Sequence, residues 1–310
     1  MYNPEIKQRF IDERYLGKEA TKIVALRLFT STQKFEEKQG CDLCEFSSGE
    51  ISSVVKSVSR AVRKDSGTRV SVLRQYLKWC VDNNIPNANE NAVNFEAPSQ
   101  EEIMRESLFY SPEHLASFLD KVFDPVESES SDLLLRAYCW LAYSGLSEKD
   151  VLGLTKSNFM FDKMTIVYDK RQYVIYPQEV STLYKICNLN YFNVIHPNYT
   201  KRCKRVESDL IFRNIQKVVN KSNFLSNKLA KNISDALKNK RIKHRTNYYR
   251  IWLSGIFYEQ YKTRELQGFP TTFEWVARAA GSDTNRNINK RRGILESDYK
   301  VWKESFKDLM

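Results

Sequence analysis

The chain has 310 residues, of which 42% are hydrophobic and 28% charged, and its formal net charge is +11. That length can bury a core in each of two domains, and that composition excludes a disordered chain. No run approaches the roughly 18 apolar residues that cross a bilayer, and the charged N-terminal segment lacks a signal-peptide core. The sequence therefore predicts a cytoplasmic protein without a membrane partner.

The positive charge is concentrated in one part of the chain. Residues 201–250 contain fifteen Lys or Arg against three Asp or Glu, whereas the other 260 residues hold 34 basic and 35 acidic side chains. A solvated basic face is the simplest reading of a charge run, but this concentration exceeds what solubility requires. It indicates a polyanionic partner, and nucleic acid is the natural candidate.

Residues 1–95 are predicted to form a helical domain. One helix is expected to begin at Ser52 or Ser53 and another at Thr68, after a break at Ser66-Gly67, since apolar residues follow each cap at helical spacing. The outward faces of these two helices also carry basic residues, each of which is more typical of a surface charge than of a side chain that contacts DNA bases. Those predicted to contact phosphate are Arg60, Arg63, Lys64, Arg69 and Arg74.

The six cysteines are scattered and are expected to be reduced. Two of them, Cys41 and Cys44, form an isolated C-x-x-C pair. A zinc site would need a second pair of ligands, and the nearest histidine, His114, lies far along the chain. A chance pair is the preferred interpretation, so the sequence predicts neither a metal nor a cofactor.

A polar stretch with little periodicity, residues 96–107, is predicted to link the helical domain to a second domain, residues 108–310. The second domain opens with FYSPEHLASFLDKVF, where Ser111 is a good N-cap and Pro112 suits the first helical position. The segment LLLRAYCWLAY follows as a largely buried helix that stops at Gly145.

Beyond that glycine, Ser147 is predicted to cap a helix, with Asp150 three residues later completing a pattern like a capping box. The segments MTIVYD and QYVIY are rich in β-branched and aromatic residues and flank Lys170-Arg171, which predicts a β-hairpin. From Pro177 onward the pattern is mainly helical.

In this order, the parts resemble those of the tyrosine recombinases, the phage-integrase family. The helix FYSPEHLASFL, the phrase AYSGLSEKDVLGL and the hairpin with its following short helix, MTIVYDKRQYVIYPQEVSTL, are each similar to a degenerate motif of that family. The resemblance implies a mainly α fold with a small β-hairpin or sheet. It also implies a two-domain clamp, in which a core-binding domain and a catalytic-like domain hold DNA between them.

Members of that family cut DNA with a tyrosine that attacks a phosphodiester, while two arginines and a histidine or tryptophan stabilise the phosphoryl charge. A hairpin lysine protonates the leaving oxygen, and a further histidine assists. Carried over by motif, the first arginine position is Ser147 and the hairpin lysine is Lys170. In the H-x-x-R motif, Asn247 replaces the histidine and Arg250 remains.

The remaining positions also depart from the family pattern. A later glycine-histidine pair of the family matches Gly281-Ser282, where serine replaces the histidine. The nucleophile position matches Tyr299, which is 17 residues after Ser282. Tyr299 is equally suited to be an aromatic residue on an amphipathic helix. If His244 is taken as the motif histidine instead, the arginine position three residues later falls on Asn247 and the arginine is lost. Removing one preorganised donor costs about 3 kcal/mol in the transition state. The sequence therefore predicts a recombinase fold whose catalysis is lost.

The residues predicted to hold DNA lie mainly in the basic segment. The stretch KNKRIKHRTNYYR, residues 238–250, interleaves cations with Asn and Tyr, which suits phosphates and base edges, although a solvated face is the alternative. The cations from 201 to 205 are expected to form a mobile loop beside the duplex. The candidates are Lys170, Lys201, Arg202, Lys204, Arg205, Lys240, Arg241, Lys243, Arg245, Asn247 and Arg250. A further edge of the interface, or alternatively a contact with a neighbouring subunit, is expected at Arg286, Lys290, Arg291 and Arg292.

Three functions stay open at this point. The preferred one is a sequence-specific transcriptional repressor that maintains prophage lysogeny, because the resemblance extends to temperate-phage repressors built on the recombinase scaffold. Its partner would be double-stranded operator DNA in the host nucleoid, with self-association on DNA left open. The alternatives are a divergent active recombinase that uses Tyr299 with Arg250 and Lys170, and an architectural protein with little sequence preference.

Overall fold

The computed structural model describes residues 1–58, 63–123, 131–196, 199–205, 207–212, 222–239, 242, 244–273 and 285–310. The chain divides into two compact units, Met1–Met104 and Arg105–Met310. The division falls inside the polar stretch that the sequence predicts as a linker, although Gln100–Arg105 forms a short helix there. Each unit has a hydrophobic core of its own.

The first unit is helical. Its helices are α1 (Pro4–Arg14), α2 (Glu19–Gln39), α3 (Ser48–Val58) and α4 (Arg63–Asp82), and 3-10 turns lie at Leu43–Glu45 and Glu90–Asn94. At the centre, the rings of Phe10, Phe29 and Tyr76 pack edge to face, with centroids 4.9 to 6.1 Å apart. Aromatic pairs in this geometry add to the free energy gained by burial alone.

A buried charge cluster ties these helices together. Lys7 of α1 is paired with Glu36 of α2 and donates to Asp42 Oδ2 at 2.9 Å. The hydroxyl of Tyr76 in α4 donates to Asp42 Oδ1 at 2.7 Å. Because an unpaired buried ion would cost several kcal/mol, these contacts fix the relative positions of α1, α2 and α4.

Both helix starts predicted in this unit are wrong. Helix α3 begins at Ser48, where Ser47 Oγ accepts the backbone N–H of Glu50 at 3.3 Å. Helix α4 begins at Arg63 and runs through Gly67, where the sequence suggests a break. A glycine within a helix costs only about 1 kcal/mol, whereas each large apolar side chain buried further along α4 contributes about 2 kcal/mol.

The second unit is mainly helical with two small antiparallel sheets, which confirms the predicted fold class. The cap at Ser111 is confirmed, since Ser111 Oγ accepts the backbone N–H of His114 at 3.2 Å. Helix α5 (Gln100–Arg105) spans the division. The described helices after it are α6 (Pro112–Val122), α7 (Ser131–Tyr143), α8 (Glu148–Gly153), α9 (Val180–Asn188), α10 (Ser222–Asn239), α11 (Tyr248–Tyr261) and α12 (Asn285–Phe306).

Helices α7 and α11 touch at a glycine. A Cβ on Gly255 would overlap the carbonyl oxygen of Tyr143, so the two backbones are in direct contact there. Just beyond Tyr143 the chain turns at Gly145, whose φ of +99° is a conformation that side-chain-bearing residues rarely adopt. This crossing holds α11 against the turn that leads into α8.

A three-stranded sheet is formed by β1 (Phe159–Met160), β2 (Thr165–Tyr168) and β3 (Arg171–Val174), in that order. The predicted hairpin is therefore present, but its turn is Asp169-Lys170, and Arg171 pairs with Tyr168. Both turn residues have positive φ, 46° and 62°. Such a turn suits the right-handed twist of the strands, and aspartate tolerates positive φ better than most residues.

A second hairpin, β4 (Tyr191–His196) and β5 (Tyr199–Lys204), was not predicted. Tyr191 pairs with Lys204, and His196 pairs with Tyr199. The cations from 201 to 204 thus lie on a strand, and the prediction of a mobile loop is wrong. Asn, Pro and Lys disfavour strands by local propensity, but here cross-strand pairing decides the structure.

Candidate nucleic-acid interface

The turn before α8 holds the position matched to the first catalytic arginine. Ser147 Oγ accepts the backbone N–H of Asp150 at 3.2 Å and donates to Asp150 Oδ2 at 2.6 Å. Ser147 therefore caps α8, as predicted. Its side chain is committed to the helix end and brings no positive charge to this position.

The start of α11 lies beside the same turn. The hydroxyl of Tyr248 donates to the carbonyl oxygen of Leu146 at 2.8 Å, and Trp252 Nε1 donates to the carbonyl oxygen of Gly145 at 2.9 Å. The ring of Tyr173 in β3 also lies beside Gly145. The structure thus brings the Ser147 turn, the start of α11 and the β2–β3 hairpin into one part of the second unit.

Asn247 and Arg250 shape the segment that leads into α11. The side chain of Asn247 accepts the backbone N–H of Arg250 at 3.0 Å, so the residue at the motif's histidine position is a helix cap. The guanidinium of Arg250 donates to the carbonyl oxygen of Arg245, whose own N–H donates to the carbonyl oxygen of Glu106 at 2.7 Å. These bonds leave Arg245 and Asn247 exposed and Arg250 half-buried.

Burial alternates along this segment, with residues 245, 247 and 249 exposed and 246 and 248 buried. Tyr249, which the sequence reasoning missed, is 48% exposed and stacks on Trp252 with ring centroids 5.7 Å apart. The residue types at 245–249 (Arg, Thr, Asn, Tyr, Tyr) do not alternate between polar and apolar, so nothing in them marks Tyr249 as the exposed ring. Arg245, Asn247, Tyr249 and Arg250, named here the α11 entry, combine hydrogen-bond donors, an aromatic face and positive charge.

His244 lies just before the α11 entry but packs inward. Its ring centroid is 4.4 Å from that of Phe109 and 5.4 Å from that of His114. Burial lowers the pKa of His244 to about 3 and the pKa of His114 to about 4. Both imidazoles are therefore neutral near pH 7 and act as core rings, not as phosphate ligands.

The position matched to the nucleophile is also in the core. Tyr299 is 2% exposed and packs against Phe257, Phe273 and Trp302, with ring centroids 5.7 to 6.0 Å away. Its hydroxyl donates to Glu265 Oε1 at 3.5 Å. Burial, with the nearby Glu265 carboxylate, raises the pKa of Tyr299. In this conformation the phenol is held protonated and out of reach of a DNA strand.

Two arginines predicted to contact DNA are buried. Arg69 donates to the carbonyl oxygen of Val58 at 3.2 Å and ties α3 to α4. Arg205 donates to the carbonyl oxygens of Leu189, at 3.2 Å, and of Ile211. In this conformation both guanidinium groups are bound to backbone oxygens and have a structural role, which speaks against the predicted DNA contact of Arg69 and Arg205.

The other predicted contacts divide by exposure. Arg74 is exposed, and its guanidinium lies 4.8 Å from the ring centroid of Phe95. The remaining exposed candidates are Lys170, Lys201, Arg202, Lys204, Arg245, Asn247, Lys290 and Arg291, and Arg292 is half-buried. Outside the described residues lie Arg60, Lys240, Arg241, Lys243 and Ser282, and the side chains of Arg63, Lys64 and Arg286.

The described ranges of the chain contain neither a metal-binding cluster nor a membrane-spanning helix. No group of three or more His, Cys, Asp or Glu is close enough there to hold a metal ion. Cys44 of the C-x-x-C pair is buried in the core of the first unit, and Cys41 is partly exposed. None of the described helices is both long and apolar enough to cross a bilayer.

The fold and the α11 entry define a mainly helical two-unit chain with a basic, polar segment at the start of one helix. Residues 1–82 match the family model described as "MrpR, N-terminal core-binding domain". Among solved structures, the chain is similar to the "Crystal structure of XerA recombinase", with 14% identity, a TM-score of 0.37, and coverage of 98% of this chain and 96% of that one. No curated protein matches significantly. The first unit is thus similar to a core-binding domain.

Proposed function

We propose that the chain is a sequence-specific DNA-binding protein of the tyrosine-recombinase type that no longer cuts DNA. Its role would be that of a transcriptional repressor, bound to operators in a bacterial nucleoid and maintaining prophage lysogeny. The observation that carries the proposal is the commitment of Ser147 to capping α8. A hydroxyl bound to a helix end cannot supply the positive charge that phosphoryl transfer requires at that position.

The other matched positions support the loss of catalysis. Asn247 caps α11 and has no ring nitrogen to donate to a phosphoryl oxygen. Tyr299 lies among three aromatic side chains, and its raised pKa opposes formation of the nucleophilic phenolate. Of the matched catalytic groups, Lys170, Arg250 and Tyr299 keep the family's residue types.

DNA as the partner has independent support. Residues 1–82 match a family model described as a core-binding domain, and a domain of that kind contacts DNA in the recombinases that the sequence resembles. The excess of cations between residues 201 and 250 suits a polyphosphate. The α11 entry adds Arg and Asn side chains, which can read guanine and adenine edges as well as bind phosphates.

The function is tested by selecting duplexes from a genomic DNA pool and by incubating the protein with nicked suicide duplexes of the selected sequence. A sharp shared motif with no covalent adduct is the expected result. A trapped phosphotyrosine adduct would establish the divergent active recombinase instead. Equal affinity for unrelated duplexes at matched salt would indicate the architectural protein.

Substitution of Tyr299 separates the two main hypotheses further. Tyr299→Phe removes only a hydroxyl whose partner is 3.5 Å away, so operator affinity should be unchanged and stability should change by no more than about 0.5 kcal/mol. Tyr299→Ala should destabilise the fold by about 3 to 5 kcal/mol through the cavity it leaves. Affinity is measured by fluorescence anisotropy and stability by urea unfolding. Loss of operator binding by a folded Tyr299→Phe protein would contradict the inactive-enzyme hypothesis.

A further inference from the structure

The β4–β5 hairpin and α9 form the walls of an open cleft on the second unit. The cleft is lined in part by Tyr184, Lys185 and Asn188 of α9, with Tyr191 of β4 and Arg202 of β5, and these five residues are named here the hairpin cleft. The sequence from residue 180 to residue 206 contains five Lys or Arg and no Asp or Glu. Outside the cleft, Lys204 is paired with Glu207 at 3.0 Å. The described lining of the cleft contains Lys185 and Arg202 and no acidic side chain, so the cleft attracts anions.

The base of the hairpin is fixed to the body of the unit. The buried Arg205 guanidinium donates to the carbonyl oxygens of Leu189 and Ile211, and the Arg205 N–H donates to the carbonyl oxygen of Asn190 at 2.9 Å. Beyond this anchor, β5 is exposed along most of its length. A two-stranded hairpin is marginally stable in water by itself, so the Arg205 bonds hold the cleft in a defined shape.

The cleft combines cations with exposed aromatic faces. The guanidinium of Arg202 lies 4.6 Å from the ring centroid of Tyr191, which orients its planar donors. Tyr184 is 60% exposed and Tyr191 is 42% exposed. Arginine binds a phosphate through paired hydrogen bonds, and lysine, tyrosine and asparagine add further donors to phosphate oxygens.

We propose that the hairpin cleft binds the sugar–phosphate backbone of duplex DNA, as a contact additional to the α11 entry. This inference rests on the proposed DNA-binding function. The open shape suits a continuous strand, because sites for small molecules enclose most of the ligand surface. Arg202 and Lys185 each bind a phosphate, while Tyr184 and Tyr191 flank the strand.

The test is the salt dependence of binding to a duplex that carries the selected sequence. The Lys185→Ala/Arg202→Ala double variant should lower the slope of log affinity against log salt by about 2, since each phosphate contact contributes about 0.9. Hydroxyl-radical footprinting should show one protected backbone patch lost and the others kept. Arg202→Lys should keep most of the slope that Arg202→Ala loses. Thr200→Ala, which removes an exposed uncharged group from β5, should leave the slope of the unaltered protein unchanged.

The outcomes separate this inference from the proposed function. If the unaltered protein binds no duplex, the proposed function fails. If it binds and the double variant keeps both the slope and the complete footprint, only the hairpin contact is overturned. A deficit confined to single-stranded DNA, with duplex binding intact, overturns it as well. Circular dichroism of the double variant should match that of the unaltered protein, since both altered side chains reach the surface.

Discussion

At the scale of single residues, the hydroxyl of Ser147 satisfies the first turn of α8, and that turn stands where the recombinase resemblance requires an arginine. Ser147→Arg should destabilise the protein by about 1 kcal/mol, because arginine cannot cap the helix. It should also produce no covalent adduct with a nicked duplex, since Tyr299 stays buried and Asn247 stays in place. Urea unfolding and denaturing gel electrophoresis measure the two effects.

Ser147→Thr is the matched control for that substitution. Threonine keeps an oxygen that can accept the N–H of Asp150 and donate to its carboxylate, so stability should fall by only a few tenths of a kcal/mol. An adduct formed by Ser147→Arg would mean that a single missing charge separates this chain from an active recombinase.

At the scale of secondary-structure elements, the contact between α7 and α11 positions the α11 entry. Gly255→Ala would drive a methyl group into the carbonyl oxygen of Tyr143, so the two helices must separate. We expect a loss of roughly 3 kcal/mol in the free energy of unfolding, together with weaker DNA binding. Gly293→Ala in α12 is the control, since nothing lies within 4 Å of its added methyl group and the change should stabilise the helix by up to about 1 kcal/mol. Equal stability of the two variants would refute the tight crossing.

The His114 and His244 pair makes the same region sensitive to acid. The pKa values of His114 and His244, about 4 and about 3, lie below the value of about 6.5 expected in the unfolded chain. Protons therefore bind the unfolded state more tightly. Above about pH 6.5 the free energy of unfolding does not depend on the protonation of these two rings. It falls as the pH drops toward 4, by at most about 1.4 kcal/mol per pH unit for each ring.

Urea unfolding at pH 7 and pH 5 measures this dependence. His244→Phe keeps an aromatic ring against Phe109 and His114 but cannot be protonated, so its stability should change less between the two pH values than that of the unaltered protein. Carboxylates contribute equally to both proteins, and the comparison removes their effect. An identical pH dependence would show that His244 does not titrate on unfolding.

Local signals predicted two of the helix caps in the second unit but missed the equally local cap at Ser47 in the first. The serine caps at Ser111 and Ser147 are confirmed because a cap involves only neighbouring residues. The run of α4 through Gly67 could not be predicted, since burial of residues further along the helix outweighs the cost of the glycine. The β4–β5 hairpin was not predicted for a related reason, because its strands are stabilised by pairing with each other and not by local propensity.

At the scale of the whole molecule, the segment rich in cations was visible in the sequence, but the orientation of each cation was not. Arg202 and Arg205 are three residues apart on or next to one strand, yet one lines an open cleft and the other is buried beneath carbonyl oxygens. Tyr249 was missed because its exposure depends on which side of the first turn of α11 packs on the core. Net charge predicts a polyanionic partner, whereas the identity of the residues that contact it depends on the fold.

The exposed and partly exposed cations of the second unit predict a steep dependence of DNA affinity on salt. If Lys201, Arg202, Lys204, Arg245 and Arg250 each bind a phosphate, log affinity should fall against log salt with a slope of about −4 or steeper. Arg245→Ala should reduce the steepness by about one unit, and Arg245→Lys, which keeps the charge, should not. Fluorescence anisotropy over a range of KCl concentrations measures both slopes. A flat response would contradict a phosphate-binding surface, because release of counterions from DNA is unavoidable when cations neutralise its backbone.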